Sequence, residues 1–95
     1  MTKLTPGQIR AALGGAPQWR KKSSTIMRRF EFADFVAAMK FVNAVARLAE
    51  KAGHHPDIDI RWNKVTLALT THDAGGLTRK DFLLANRFDH LVRQP

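Results

Sequence analysis

Two short runs in the second half of the chain alternate apolar and polar positions. In Asp57-Ile58-Asp59-Ile60-Arg61-Trp62, Ile58, Ile60 and Trp62 share one side. In Val65-Thr66-Leu67-Ala68-Leu69-Thr70, Val65, Leu67 and Leu69 do the same. Period two is the signature of a half-buried strand. Only Asn63-Lys64 separates the runs, and Asn tolerates the positive φ of a two-residue turn, so a hairpin is predicted. That turn would pair Trp62 with Val65, Ile60 with Leu67 and Ile58 with Leu69. Continued outward, the same register sets His55 opposite His72.

Upstream the period changes to that of a helix. From Asp34 to Ala52, Phe35, Met39, Val42, Ala46 and Ala49 form one stripe, and Phe41, Val45, Leu48 and Ala52 form another. Asp34 suits the start of this 34–52 helix and Gly53 its stop. Two stripes on one helix predict cover from two sides, hence a contribution to a subunit interface, with the short terminal helices as the alternative cover. Thr5-Pro6-Gly7-Gln8 reads as a capped start of a shorter helix that ends at Gly14-Gly15. Residues 19–32 read as two strands about a turn near Ser23-Ser24, with Ile26, Arg28, Phe30 and Phe32 alternating in the second. Asp73-Ala74-Gly75-Gly76 reads as a loop. Thr78 opens a last helix whose apolar face is Phe82, Ala85, Phe88, Leu91 and Val92, with Asp81 set as in a capping box. The predicted order is α-β-β-α-β-β-α: an α+β fold with a four-stranded antiparallel sheet and helices on one face, spanning residues 1–95 as a single domain.

The candidate chemistry lies where the long helix gives way to the hairpin. His54-His55-Pro56 stands there, and a third of the four histidines is His72. Imidazole titrates near neutrality and so can both give and take protons. Glu50 precedes His54 by four residues, a spacing at which it could hold that ring, with a surface pair to Arg47 as the competing role. Asp81 could orient His72 or serve only the Thr78 cap. Pro56 would fix the backbone after the histidines, and Trp62 would pack in the core.

The sequence Glu50, three residues, His54-His55-Pro56, five residues, Trp62, nine residues, His72, eight residues, Asp81 resembles the motif of the pterin-4a-carbinolamine dehydratase family. The text Phe30-Glu31-Phe32-Ala33-Asp34-Phe35, Thr71-His72 and Gly76-Leu77-Thr78 is also similar, and the likeness extends from about Arg29 to Asp89, more loosely from Trp19. Asp59-Ile60-Arg61 departs from the Asn-Val-Tyr-like text common there. The resemblance implies loss of water from a 4a-hydroxytetrahydropterin to give the quinonoid dihydropterin. His54, His55 and His72 would be the catalytic and substrate-binding residues, with His54 and His72 the acid–base pair and His55 chiefly a pterin contact. Glu50, Asp81 and Pro56 would support them. It implies no cofactor and no metal, a homodimer or homotetramer through the sheet edge and the 34–52 helix, and a functional link to phenylalanine hydroxylase. Relatives also act as dimerisation cofactors of a transcription factor, so a non-catalytic interaction module is the alternative.

Composition narrows the rest. Sixteen Lys and Arg against eight Asp and Glu give a net charge of +8. Such a surface attracts polyanions without sequence preference. No helix-turn-helix, zinc-finger or RNP-type text accompanies it, so no specific nucleic-acid partner is expected. Cysteine is absent, which removes disulfide and thiolate chemistry. No apolar run approaches a membrane span, and Met1-Thr2-Lys3-Leu4-Thr5-Pro6 lacks the apolar core of a signal peptide. No membrane association and a cytoplasmic location are the expectation. Three histidines also match the ligand number of a catalytic zinc, but adjacent His54 and His55 would have to bend sharply to meet one ion.

Overall fold

In the computed structural model, which describes residues 2–93, the element order is α1 (Pro6–Gly14), β1 (Arg20–Lys22), β2 (Thr25–Glu31), α2 (Phe35–Ala52), β3 (Asp57–Arg61), β4 (Lys64–Leu69) and α3 (Arg79–Arg93), with a short 3-10 turn at His72–Ala74. The strands form one antiparallel sheet in the order β1-β2-β4-β3. The α-β-β-α-β-β-α order and the α+β class are as the patterning predicts.

Alternation decides which face of the sheet is covered. Ile26, Phe30, Val65, Leu67 and Leu69 are all buried, whereas Met27, Arg29, Glu31, Thr66 and Ala68 between them are not. The buried side packs against Ala38, Phe41 and Val45 of α2, Phe82, Ala85 and Phe88 of α3, and Ile9 of α1. Fully burying one such aliphatic or aromatic side chain contributes ~1.5–3 kcal/mol. Arg28 lies on this covered side too. Its guanidinium sits 4.1 Å from the centre of the Phe30 ring and donates to the buried Asp89 carboxylate at 2.6 Å. The Trp19 indole N–H donates to the same Asp89 oxygen at 2.9 Å. One carboxylate on α3 therefore ties down both β2 and the segment before β1.

The helix ends follow their sequence signals. Thr5 and Gln8 exchange backbone and side-chain bonds in a capping box. The Asp34 carboxylate accepts from the Ala37 N–H at 2.8 Å.

Three details differ from the sequence expectation. The β3–β4 turn is Trp62-Asn63, so that Arg61 pairs with Lys64, Ile60 with Val65 and Ile58 with Leu67. The faces are kept because the shift is an even number of residues. Its cause is Asn63. That side chain is buried and donates to the Phe32 carbonyl at 2.8 Å, while the Asn63 carbonyl accepts from the Phe32 N–H at 2.9 Å. Held by the end of β2, Asn63 forces the positive φ, +53°, onto Trp62. Trp62 is consequently 64% exposed and is no core residue. Within the single chain α2 buries Ala38, Phe41, Val42, Val45 and Ala49 and leaves Phe35 and Val36 exposed, which neither requires nor removes cover of that side by a second subunit. The first strand of the 19–32 pair begins only at Arg20.

Candidate active site

The position of His54 begins with the end of α2. Gly53 adopts the left-handed conformation at φ +63°, which glycine tolerates without steric cost. Its N–H bonds to the Glu50 carbonyl, and the His54 N–H bonds to the Ala49 carbonyl at 3.2 Å. This pair of bonds is a Schellman stop. The helix terminus therefore fixes the His54 backbone directly, and its ring turns inward with 12% of the side chain exposed.

The ring meets Asp81. His54 Nε2 lies 2.6 Å from Asp81 Oδ1. Asp81 is fully buried in the first turn of α3, where the helix dipole favours a carboxylate. Its Oδ2 accepts from the Thr78 N–H at 2.9 Å and from the Thr71 hydroxyl at 2.8 Å. The Thr71 and Thr78 hydroxyls are themselves 2.8 Å apart. Both carboxylate oxygens thus act as acceptors. Toward an ionised Asp81, the Nε2–H of His54 is the donor in this contact.

Thr71 and Gly76 close a small loop by two reciprocal backbone bonds of 3.3 Å, and Gly75 within it has φ +75°. His72 rides on this loop, exposed, next in sequence to a residue that binds Asp81. The stretches around His54 and His72 are therefore joined through Asp81, not by cross-strand pairing of His55 with His72. With Asp57 paired to Ala68, continuing the observed ladder would set residue 55 opposite residue 70.

Two assignments of partners change accordingly. Asp81 holds His54, not His72, while also bonding the Thr78 N–H as a cap. Glu50 contacts His55, not His54: His55 Nε2 is 2.5 Å from Glu50 Oε2, with both side chains mostly exposed. The Schellman stop rotates His54 away from the surface row in which Glu50 stands, so helical i,i+4 spacing does not extend past Gly53. Pro56 is half-buried immediately before β3. Sequence reasoning gave no role to Thr71 and saw only a cap in Thr78. Their hydroxyls complete the Asp81 network, and the one available signal was their position flanking the His72 loop. Among the described residues, no three His or acidic side chains are grouped as metal ligands would be.

Comparison with known proteins gives one consistent result. The family model described as pterin 4 alpha carbinolamine dehydratase matches residues 2–91. A protein of Acidobacterium capsulatum, provisionally named pterin-4-alpha-carbinolamine dehydratase, is 58% identical over 97% of this chain and 100% of its own length. One from Picosynechococcus sp. with the same name is 56% identical over 95% of this chain and 98% of its own. Among solved structures, a transcriptional coactivator/pterin dehydratase from Brucella melitensis superposes with a TM-score of 0.91 at 33% identity, covering 95% of this chain and 98% of that one. A pterin dehydratase-like RuBisCO assembly factor of the alpha-carboxysome gives 0.66 at 26% identity, covering 81% and 89%.

Proposed function

The chain belongs to the pterin 4-alpha-carbinolamine dehydratase family, and we propose that it eliminates water from a 4a-hydroxytetrahydropterin to give the quinonoid dihydropterin. In that reaction the bond from carbon 4a to the hydroxyl oxygen breaks. The nitrogen 5 lone pair forms the new C=N bond, and nitrogen 5 loses its proton. Hydroxide is a poor leaving group, so an acid protonates it as it departs and a base takes the nitrogen proton. No electrons are gained or lost overall.

The observation that carries this reading is the buried Asp81 carboxylate, which receives His54 Nε2 on one oxygen and the Thr71 hydroxyl and Thr78 N–H on the other. Such a carboxylate holds the imidazole in one tautomer and one orientation. His54 is the base, acting through Nδ1, and Asp81 is its positioning residue. His72, exposed on the loop that Thr71 anchors, is the acid. His55 binds the pterin beside them, with Glu50 as its partner. Pro56 holds the chain between the histidines and β3.

The test is turnover of freshly generated 4a-carbinolamine. A positioned acid or base contributes about 10²–10⁴-fold, so His54→Ala and His72→Ala, each folded by circular dichroism, are expected to lose that much in kcat. Rates equal to the parent in both would reject the assignment.

The remaining parts of the reading rest on the family and on exposed surface. The chain acts as one domain in the cytoplasm, recycling tetrahydropterin for an aromatic amino acid hydroxylase such as phenylalanine hydroxylase. It self-associates as a dimer or tetramer. β3 is an edge strand carrying Ile58, Ile60 and Trp62 exposed beside it, and α2 exposes Phe35 and Val36. Those same residues favour the second reading, a non-catalytic interaction module, as the names of both structural neighbours suggest. Turnover separates the two, because an adaptor would be indifferent to loss of His54.

A further inference from the structure

We propose that the cavity beneath the β1–β2 turn is a second ligand site, distinct from the His54 corner, that binds a small organic phosphate. The cavity has a volume of about 620 Å³ and lies where the N-terminal segment, α1, the Ser23-Ser24 turn and the Gly75-Gly76-Leu77 stretch meet. Small-molecule sites usually fall between about 300 and 1,000 Å³. Neither His54, His55 nor Asp81 lines it.

Its chemistry is one-sided. Lys3, Arg10 and Lys21 line it from three separate segments, and no acidic residue does. Among the described residues none of the three is in a salt bridge. Ser23 and Ser24 add hydroxyls at the rim, while Leu4, Ile9, Leu13 and Leu77 supply an apolar floor. Like charges gathered round one concavity repel each other in the empty site, and an anion relieves that repulsion. A phosphate monoester carries close to two negative charges and several acceptor oxygens, which suits a guanidinium fork, two ammonium groups and hydroxyl donors. The apolar floor calls for an organic body on that phosphate, not the bare ion.

Lys3 is held in place for this task. A Cβ added at Gly76 would lie 2.7 Å from Lys3 Cδ, so the lysine stem rests on bare glycine backbone. Lys21 is set by strand alternation. It pairs with the buried Ile26 and faces the helix side of the sheet, whereas Arg20 and Lys22, paired with Met27 and Thr25, belong to the open face. A polyanion lying along the protein would use that open face, with Arg29 beside it. A small ligand in the cavity uses only the inward set.

This strand alternation supplies the control. Phenyl phosphate, titrated into isotopically labelled protein at physiological ionic strength and followed by amide chemical shifts, is expected to saturate. The shifts should centre on Lys3, Arg10, Lys21, Ser23 and Ser24. Lys21→Ala and Lys3→Ala, both exposed positions, should each weaken binding about tenfold, near the low end for a hydrogen bond to a charged group. Lys22→Ala removes the same net charge from the open face and should change it less than about twofold. Phenol and inorganic phosphate should each bind more weakly than phenyl phosphate. Equal weakening by Lys22→Ala and Lys21→Ala, shifts that fail to saturate, or inorganic phosphate binding as well as phenyl phosphate would overturn the proposal.

Discussion

Asp81 shows how much one residue can be asked to do. Its carboxylate starts α3 by accepting the Thr78 N–H, gathers the Thr71 hydroxyl from the far side of the His72 loop, and orients His54. Replacing it with Asn turns one acceptor oxygen into a donor, so at least one of three donors loses its partner in a fully buried place. Leaving a buried polar group unsatisfied costs about 1–3 kcal/mol, and Asp81→Asn should lower stability by that amount in urea unfolding. If Asp81 positions His54, kcat should fall about tenfold to a hundredfold while KM moves little, since small misplacement of a catalytic group has effects of that size. Nitrogen chemical shifts of the His54 ring would report the tautomer directly. A purely structural Asp81 would leave both the tautomer and kcat unchanged once the folded fraction is corrected. The His55–Glu50 contact is the contrasting case. It is equally short, but both partners face water, and exposed pairs contribute only about 0–1 kcal/mol.

At the scale of elements, helix and strand ends do the aiming. Gly53 stops α2 and bonds His54 to its last turn in the same motif. An added Cβ at Gly53 would meet open space, so the cost of substitution comes from φ +63° alone. Gly53→Ala should therefore cost about 1 kcal/mol of stability. It should reduce turnover by more than that loss explains, because relaxing the stop moves the His54 backbone. Measuring unfolding and kcat on the same variant separates the two effects. These helix stops and caps were legible beforehand, because Thr5, Asp34 and Gly53 act through neighbours three or four residues away. The turn of the β3–β4 hairpin was not. Local preference places positive φ on Asn63, yet Asn63 is engaged by Phe32, thirty-one residues earlier, and Trp62 takes the strained position. Local turn chemistry lost to a buried long-range hydrogen bond.

The whole molecule is held as one body by the core between one face of the sheet and the helices and by Asp89, which bonds Trp19 and Arg28 at once. Patterning foresaw the covered face of the sheet, and it even placed Arg28 on that face, but it offered Arg28 no partner. Outside the core, Ile58 and Ile60 are each 38% exposed on the helix-facing side of edge strand β3. That is the side where their paired neighbours Leu67 and Val65 are buried. An apolar strand edge left open invites pairing with another chain. If self-association uses it, Ile60→Lys should shift the protein to monomer in sedimentation velocity while the far-UV spectrum stays that of the parent. An unchanged assembly would move the interface to α2 or remove it.

What the sequence alone determined is what short range controls: the order of elements, their caps and stops, the buried face of β2 and β4, and the motif that marks the family. Those follow from backbone geometry and from alternation, which need no knowledge of distant chain. Tertiary structure decided which acid serves which histidine, how the loop carrying His72 is tied through Thr71 to Asp81, and where the hairpin turns. The partner of His54, the anchoring of the His72 loop and the hairpin turn each depend on a buried polar group, Asp81 or Asn63, choosing among partners far apart in sequence, and that choice is settled only when packing has excluded water from the others.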